Sequence, residues 1–436
     1  MSAHANRRLL LLTSKTGYQT RAFVDAAREL GLDVMFGSDR CHVLDDPWAD
    51  GAVALEFQDP DDAARRLLNA IGERRVDAVV ALGDRPTPAA ARVCQALGLP
   101  HHPPEAADVC RDKYRSRERL RQAGMNVPAF ARVRLGASCD DLLGAAAALG
   151  VPCVLKPLAL AGSRGVIRAD NAAEVVAAFQ RIRALLRGPD VRVMREETSD
   201  YIQLESYVDG SEVAVEALMQ HGRLRVLAIF DKPDPLLGPY FEETIYVTPS
   251  RLPQSTQAEI VATLEQAVAA LGLQHGPLHA ELRVNDQGAW PLEVAARPIG
   301  GLCARALRFR VGSEENVSLE SAIIRLALGD DLLGLEREKN AAGVMMIPIP
   351  EAGIYRGVDG LDGAAATPGI REVRITAKPE QKLVPLPEGS SYLGFIFASA
   401  ERPEQVEHAL RQAHAKLRFH VAAELPVLSH HGQPGT

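Results

Sequence analysis

The sequence predicts a mixed α/β and α+β protein built from several packed units, and three observations predict it. The chain has 436 residues, more than one ordinary core accommodates, so two to four units are expected. The first hundred residues alternate strand signals with amphipathic helix signals, the rhythm of a parallel sheet covered by helices. From Tyr201 the pattern changes to consecutive strands, which reads as antiparallel sheet.

In the first unit the four leucines at 9–12 form a strand candidate. Residues 20–30 place Phe23, Ala26, Ala27 and Leu30 on one helical face. Residues 33–36 read as a strand, 63–71 as a helix, 76–82 as a strongly apolar strand, and 86–97 as a helix with Pro86 near its start. Gly37 and Gly83 follow strands, where an open α/β sheet places ligand loops. His101-His102-Pro103-Pro104 reads as a linker, and no metal is assigned to its histidines. A basic helix over 112–123 ends at Gly124. A strand over 127–133, a helix over 140–149 and a strand over 151–155 follow.

Strands over 202–208, 212–219 and 224–230 come next, the first two joined by a turn at Asp209-Gly210. An amphipathic helix covers 254–271. Strands over 278–284 and 290–295 are joined by Asn285-Asp286-Gln287-Gly288, and a helix covers 318–328. Strands over 343–348, 373–377 and 394–398 and a helix over 403–417 complete the chain, with residues 430–436 as a frayed tail.

Hydrophobic residues make up 47% and charged residues 24%, the balance of a water-soluble globular protein. A net charge of -7 argues against a nucleic-acid-coating surface, though not against a local basic pocket for phosphates. Cys41, Cys94, Cys110, Cys139, Cys153 and Cys303 contain no C-x-x-C pair and fit no zinc spacing, so they read as small buried residues of a reducing cytoplasm. The apolar run at 9–12 is too short for a signal peptide, and no stretch has the length of a membrane span.

Three places carry chemistry. Lys156 ends the apolar strand Val154-Leu155-Lys156-Pro157, and the loop behind it holds Gly162, Ser163, Arg164, Gly165 and Val166. Glycines let backbone N–H groups approach phosphate oxygens, and Arg164 can add charge-assisted contacts. Read locally, the same loop is equally a plain turn between strands, and it is not a Walker A motif. Glu281 and Glu293 each interrupt an apolar strand, and the two strands are expected hairpin neighbours. Adjacent carboxylates repel unless a cation bridges them, which suits Mg²⁺; two exposed strand residues, or a Glu293–Arg297 ion pair, are the plain alternatives. Arg297 precedes Gly300-Gly301 and can hold a carboxylate or phosphoryl group bidentately, or stand as a surface residue before a turn. His279 lies two residues before Glu281 on the same face, placed to orient substrate or to sit as a satisfied buried histidine.

These pieces, in this order and over most of the chain, resemble the ATP-grasp family. The resemblance implies an N-terminal Rossmann-like α/β unit over 1–103, a small lobe with the phosphate loop over 104–200, a large lobe with the metal site over 201–335 and a C-terminal α+β domain over 336–436. It implies that Lys113 and Lys156 bind the ATP phosphates and that residues 162–166 cover them. It implies that Glu205, Tyr207 and Val208 belong to a linker facing adenine, that Glu212 meets the ribose, and that Glu281 and Glu293 hold the metal. Both the linker and Glu212 also fit an ordinary hairpin. One departure stands out: many relatives carry Asn two residues after the second Glu, where this chain has Ala295, which puts a second metal ion in question.

Within the family, the stretch from Asp231-Lys232-Pro233 to Glu242-Glu243-Thr244, the run Ala296-Arg297-Pro298-Ile299-Gly300-Gly301, and Tyr392-Leu393-Gly394-Phe395 look like the L-amino acid ligases. That likeness implies that Lys232, Glu242, Glu243, His279, Arg297, Gly300 and Gly301 line the substrate pocket, or that the three charged loop residues form a solvated loop. The implied activity is an ATP- and Mg²⁺-dependent carboxylate–amine ligase, with Mn²⁺ a possible substitute. It would join small-molecule carboxylates and amines through an acyl phosphate, with Arg297 and Lys156 catalytic. No nucleic-acid or membrane partner is expected, the cytoplasm is the expected compartment, and a homodimer is left open. A biotin-carboxylase-like enzyme acting on bicarbonate and a non-catalytic nucleotide-binding regulator remain the alternatives.

Overall fold

The computed structural model describes residues 7–14, 17–39, 52–158, 160–332 and 334–424. Cys41 and the tail at 430–436 lie outside these residues. The N-terminal unit is a four-stranded parallel sheet in the order Ala52–Ala54, Asp33–Ser38, Arg8–Thr13, Ala78–Leu82. Both faces of Arg8–Thr13 are covered, which explains an unbroken leucine run where a one-sided strand would alternate. Leu9 and Leu11 pack with Phe23 and Ala27 of helix Tyr18–Glu29, whereas Leu10 and Leu12 pack with Leu67 and Val93 of helices Pro60–Ile71 and Thr87–Leu97.

The expected linker at 101–104 is different in the structure. Pro104 begins a helix, Pro104–Arg111, as proline at the first position permits. His102 is buried: its Nδ1 accepts from the Gln274 backbone N–H at 3.2 Å, so Nε2 donates to the Pro277 carbonyl at 3.1 Å. Burial lowers its pKa to about 4, the state of a neutral structural histidine. Asp112 then caps helix Lys113–Gln122 by accepting from Tyr114 N and Arg115 N at 2.9 and 3.1 Å.

The next sheet has four antiparallel strands, in the order Phe130–Arg134, Tyr201–Ser206, Cys153–Pro157, Ile167–Ala169. Helices Cys139–Leu149 and Ala172–Leu186 close one core with it, including Leu142, Leu155, Phe179, Ile182 and Leu204. Strand Ile167–Ala169 and helix Ala172–Leu186 carry no assignment from the sequence. Tyr201–Ser206, expected to form a hairpin with the strand after it, does not pair with Ser211–Gln220. The latter belongs to a second sheet, and Asp209-Gly210 carries the chain between the two. Gly210 has φ +106°, and a Cβ there would lie 2.2 Å from the Val284 carbonyl oxygen. A strand–turn–strand pattern does not record which sheet each strand joins, and here the close backbone crossing at Gly210 separates them.

The second sheet has eight strands in the order Gly288–Ala295, Gly276–Asn285, Ser211–Gln220, Arg223–Asp231, Ile245–Thr248, Ala341–Ile347, Gly394–Ala400, Ile370–Ile375. It is antiparallel throughout and runs on past residue 336, through the pairing of Ile245–Thr248 with Ala341–Ile347. Helix Gln254–Leu271 packs Ile260, Leu264 and Leu271 against Val213, Val215, Leu278 and Leu282 on one face. The opposite face shares a core with the N-terminal unit, from Leu9 and Phe23 to Phe230 and Phe395. Among the described residues, Cys94, Cys110, Cys153 and Cys303 are buried free thiols, and Cys139 departs from the expectation by being exposed. No described helix is long and apolar enough to cross a membrane.

Candidate functional site

A cleft of about 140 Å³ separates the four-stranded antiparallel sheet from the eight-stranded sheet. It brings together residues from both: Lys113, Lys156, Gly162, Ser163, Glu205, Tyr207, Val208, Glu212, Glu243, Glu281, Glu293 and Arg297 all border it. Arg164, Gly165, Lys232, Glu242, His279, Gly300 and Gly301 do not, although several of these hold residues that do.

Lys156 leaves its strand opposite Gln203, and its Nζ donates to Glu205 Oε2 at 2.7 Å. Glu205 Oε1 accepts from Arg117 Nε at 2.8 Å and from Gln203 Nε2 at 2.6 Å. Arg117 also donates to the Pro291 and Leu292 carbonyls at 2.5 and 2.9 Å, tying this network to the strand that carries Glu293. Burial alone would raise the Glu205 carboxyl, but Arg117 and Lys156 outweigh it and hold it at about 2. Burial pulls the Lys156 ammonium below the usual lysine range, against the pull of Glu205. Sequence reading missed Arg117; the available signal was its position four residues after Lys113, one helical turn along the same face.

Residues 205–208 form the crossing between the sheets. The Tyr207 ring lies under the guanidinium groups of Arg168 at 4.2 Å and Arg283 at 5.0 Å. Arg283 fixes the crossing by donating to the Val208 carbonyl at 2.6 Å, the Leu236 carbonyl at 2.6 Å and Glu212 Oε2 at 2.9 Å. Arg283, also missed, stands two residues after Glu281 and therefore on its face.

Glu212, Glu243 and Glu281 bring carboxylate oxygens within 4.8 Å of one another. The Lys232 ammonium sits among them, 2.7 Å from Glu212, hydrogen-bonded to Glu243 and 3.7 Å from Glu281. Burial disfavours the Lys232 cation, yet the three carboxylates raise its pKa well above the usual value. Burial raises Glu243 despite Lys232, and Glu281 and Glu212 add to the rise. Glu281 runs the other way: Lys232 and His279 outweigh burial and keep it ionised. His279 Nδ1 lies 3.1 Å from buried Glu216 Oε2, and its Nε2 lies 3.6 Å from Glu281. Glu216 and Glu281 raise it to about 9 against the effect of burial, so it is an imidazolium at neutral pH. The Ile299 N–H donates to Glu216 at 3.1 Å, linking this pair to the Arg297 turn.

Glu281 and Glu293 stand opposite each other on neighbouring hairpin strands, brought into that register by a bulge at Leu292, without which Glu281 would face Leu292. Glu293 lies outside the three-carboxylate cluster and instead stands 3.5 Å from Lys113, whose Nζ donates to the Leu160 carbonyl at 3.0 Å. Arg297 does not pair with Glu293. It forms a two-pronged pair with Asp84, Nε to Oδ1 at 3.0 Å and Nη2 to Oδ2 at 3.3 Å. Gly301 has φ +66° and packs under Phe395; with Gly300 it shapes the turn behind Arg297 and does not reach the cleft. Glu242 is half-buried, with a carboxyl raised by burial, and does not border the cleft that Glu243 borders.

The loop 162–166 is strapped down by the C-terminal part of the chain. The Gly165 N–H donates to the Pro387 carbonyl at 2.8 Å, and Arg164 Nε donates to the Glu388 carbonyl at 2.7 Å. Glu388 is paired in turn with Arg181. A second cavity, of about 850 Å³, lies between this loop, the N-terminal sheet and residues 190–198. It meets the first cleft at Lys113, Leu160, Ala161 and Glu293, which border both.

The donor set fits a nucleoside triphosphate with a hard cation. Lys113, Lys156 and Arg297 supply positive charge, and Glu281 and Glu293 supply facing carboxylates. Three family models match the chain in order: an ATP-grasp N-terminal domain over 24–101, an ATP-grasp domain over 149–306 and an L-amino acid ligase C-terminal domain 2 over 345–422. The crystal structure of an L-amino acid ligase from Bacillus licheniformis superposes with a TM-score of 0.80 at 27% identity, covering 96% of this chain and 99% of that one. The uncharacterized protein y4rH of Sinorhizobium fredii is 25% identical across 93% of this chain and 82% of its own length. The alanine–anticapsin ligase of Bacillus subtilis is 30% identical over 224 residues, which are 48% of this chain and 46% of that enzyme. That last match spans a little under half of the ligase's own length, but the domain order and the full-length superposition do not depend on it: the chain belongs to the ATP-grasp superfamily and stands near the L-amino acid ligases within it.

Proposed function

We propose that this chain is an ATP-dependent ligase that joins a carboxylate to an amine, with amino acids or amino-acid-like molecules as substrates. The observation that carries this reading is the junction of the two cavities. A cleft lined by Lys156, Arg297 and facing carboxylates shares Lys113 and Glu293 with a second cavity of mixed polarity, at about 850 Å³ large enough for two small substrates. Phosphate donor and acceptor can therefore meet in a partly enclosed place.

In this reading Lys113 and Lys156 hold the triphosphate, residues 162–166 cover it, and residues 205–208 and Glu212 hold the nucleoside. Glu281 and Glu293 would hold a divalent cation, which neutralises charge on the phosphates. Arg297 holds the acyl donor's carboxylate. One carboxylate oxygen attacks the γ-phosphorus and ADP leaves, giving an acyl phosphate. The amine then attacks the acyl carbon, loses a proton, and inorganic phosphate leaves with the former carboxylate oxygen. No protein nucleophile enters, so the residues act by positioning and charge.

The test is ADP release against a matrix of amino acids, with hydroxylamine to trap the acyl phosphate as hydroxamate. ADP release that requires both a carboxylate and an amine, with hydroxamate replacing product when hydroxylamine is supplied, is the expected result. ATP turnover independent of every carboxylate offered would overturn the reading. Glu293→Gln should reduce carboxylate-dependent ADP release about a hundredfold or more and raise the Mg²⁺ concentration needed for half-maximal rate; wild-type rates would remove Glu293 from the site.

A further inference from the structure

Arg297 and Asp84 form an ion pair that links the two cavities. Arg297 borders the nucleotide cleft, and Asp84 borders the 850 Å³ cavity. They come from different units: Asp84 follows Gly83 at the carboxyl end of strand Ala78–Leu82, and Arg297 follows strand Gly288–Ala295. Arg297 spends its Nε–Nη2 edge on Asp84, at 3.0 and 3.3 Å, and one Nη1 hydrogen on the Pro298 carbonyl at 3.1 Å. The remaining guanidinium hydrogens stay available to a ligand. Each Asp84 oxygen accepts one hydrogen from Arg297 and keeps a further acceptor direction. The Asp84 side chain is 22% exposed, and the cavity it borders provides that exposure. Arg297 together with Lys113 and His279 keeps the carboxyl ionised against the effect of burial.

A fixed cation and a fixed anion side by side match a ligand whose own anion and cation are separated by one carbon. An α-amino acid is such a ligand, and a plain carboxylate is not. A carboxylate lacking the ammonium would leave Asp84 with Arg297 as its partner and its cavity-facing acceptor directions unfilled, and a site built to hydrogen-bond a ligand group discriminates against the analogue that lacks it. We infer that Asp84 binds the ammonium of an amino-acid acyl donor whose carboxylate is held by Arg297, and that this pair selects amino acids over carboxylates of the same shape. The inference rests on the ligase reading above and adds a specificity residue from the N-terminal unit. It also gives that unit a reason to be docked on the large sheet: it carries half of the substrate clamp.

The experiment compares ADP release with whichever of the twenty standard amino acids turns over fastest and with its desamino analogue, at saturating ATP. The wild type should prefer the amino acid about a hundredfold or more in kcat/KM. Asp84→Asn keeps an oxygen for Arg297 and removes the charge. It should raise KM for the amino acid about tenfold or more, change KM for the desamino analogue less than about threefold, and leave ATP affinity by calorimetry unchanged. Asp84→Glu, which restores the charge, should recover part of the preference. Equal losses on both substrates, or a wild type that accepts the desamino analogue as well as the amino acid, would overturn the role of Asp84 and leave the ligase reading standing. Absence of ADP release with any carboxylate would instead remove the ligase reading, and this inference with it. Should Asp84→Asn not fold, the wild-type preference and the Asp84→Glu variant decide.

Discussion

Replacing Glu205 by Gln tests the buried network that holds Lys156 in place. The side chain keeps its volume and one acceptor oxygen, but two cations lose their shared anion, at 2.7 Å from Lys156 and 2.8 Å from Arg117. Arg117 retains the Pro291 and Leu292 carbonyls, so the loss falls mainly on Lys156. Removing one partner of a buried pair costs about 3–5 kcal/mol, and the retained amide oxygen places this case at the lower end, about 3 kcal/mol. The sign with pH follows from the carboxyl, which drops from 4.5 in a free chain to about 2 in the fold. Its contribution is fully present above pH 4.5 and is lost as pH falls towards 2. The gap between wild type and Glu205→Gln should therefore be constant near neutrality and shrink below pH 4.5.

Urea unfolding followed by circular dichroism, with hydrogen exchange of strand Tyr201–Ser206 as the local measure, reads both quantities. Nucleotide affinity by calorimetry should fall in parallel, because the same change weakens the Lys156 charge. A gap under about 0.5 kcal/mol at pH 7, or one that does not change between pH 7 and pH 3, would refute the argument that this network is a coupled charge pair and not a packing contact.

Two further outcomes follow from the same structure. Gly210→Ala should destabilise the chain by about 3 kcal/mol in denaturant titration, because φ is +106° and the new Cβ would lie 2.2 Å from the Val284 carbonyl; a loss below about 0.5 kcal/mol would show that the crossing relaxes freely. Glu388→Ala removes an exposed pair with Arg181 and should cost less than about 1 kcal/mol in stability, yet raise KM for ATP severalfold and speed protease cleavage at 162–166; unchanged cleavage would mean that the strap does not hold the loop.

Much of the architecture was legible because it is written in local patterns. The helix at 254–271 shows its apolar spacing over five turns. The hairpin that carries Glu281 and Glu293 needs only two apolar strands and a polar turn, but the bulge at Leu292 that sets the two opposite each other cannot be read from turn length. Lys113, Lys156, Glu205, Glu212 and Arg297 could be picked out by their order along the chain, and the structure brings all of them to one cleft.

Other features were not legible because they depend on contacts between distant segments. The pattern from 202 to 219 reads as a hairpin, yet its strands join different sheets, and strand pairing is decided by hydrogen bonds to 130–134 and 276–285 that no local window contains. Arg117 reaches Glu205 across 88 residues, and Asp84 reaches Arg297 across 213. Each is an ordinary charged residue in its own neighbourhood and gains its partner and role only when folding removes it from water. By itself, the sequence determined which residues stand on which face of which element, because side-chain direction has the period of the local backbone. Only the tertiary structure decided which charges face each other, because Coulomb attraction and desolvation depend on distance through space and not along the chain.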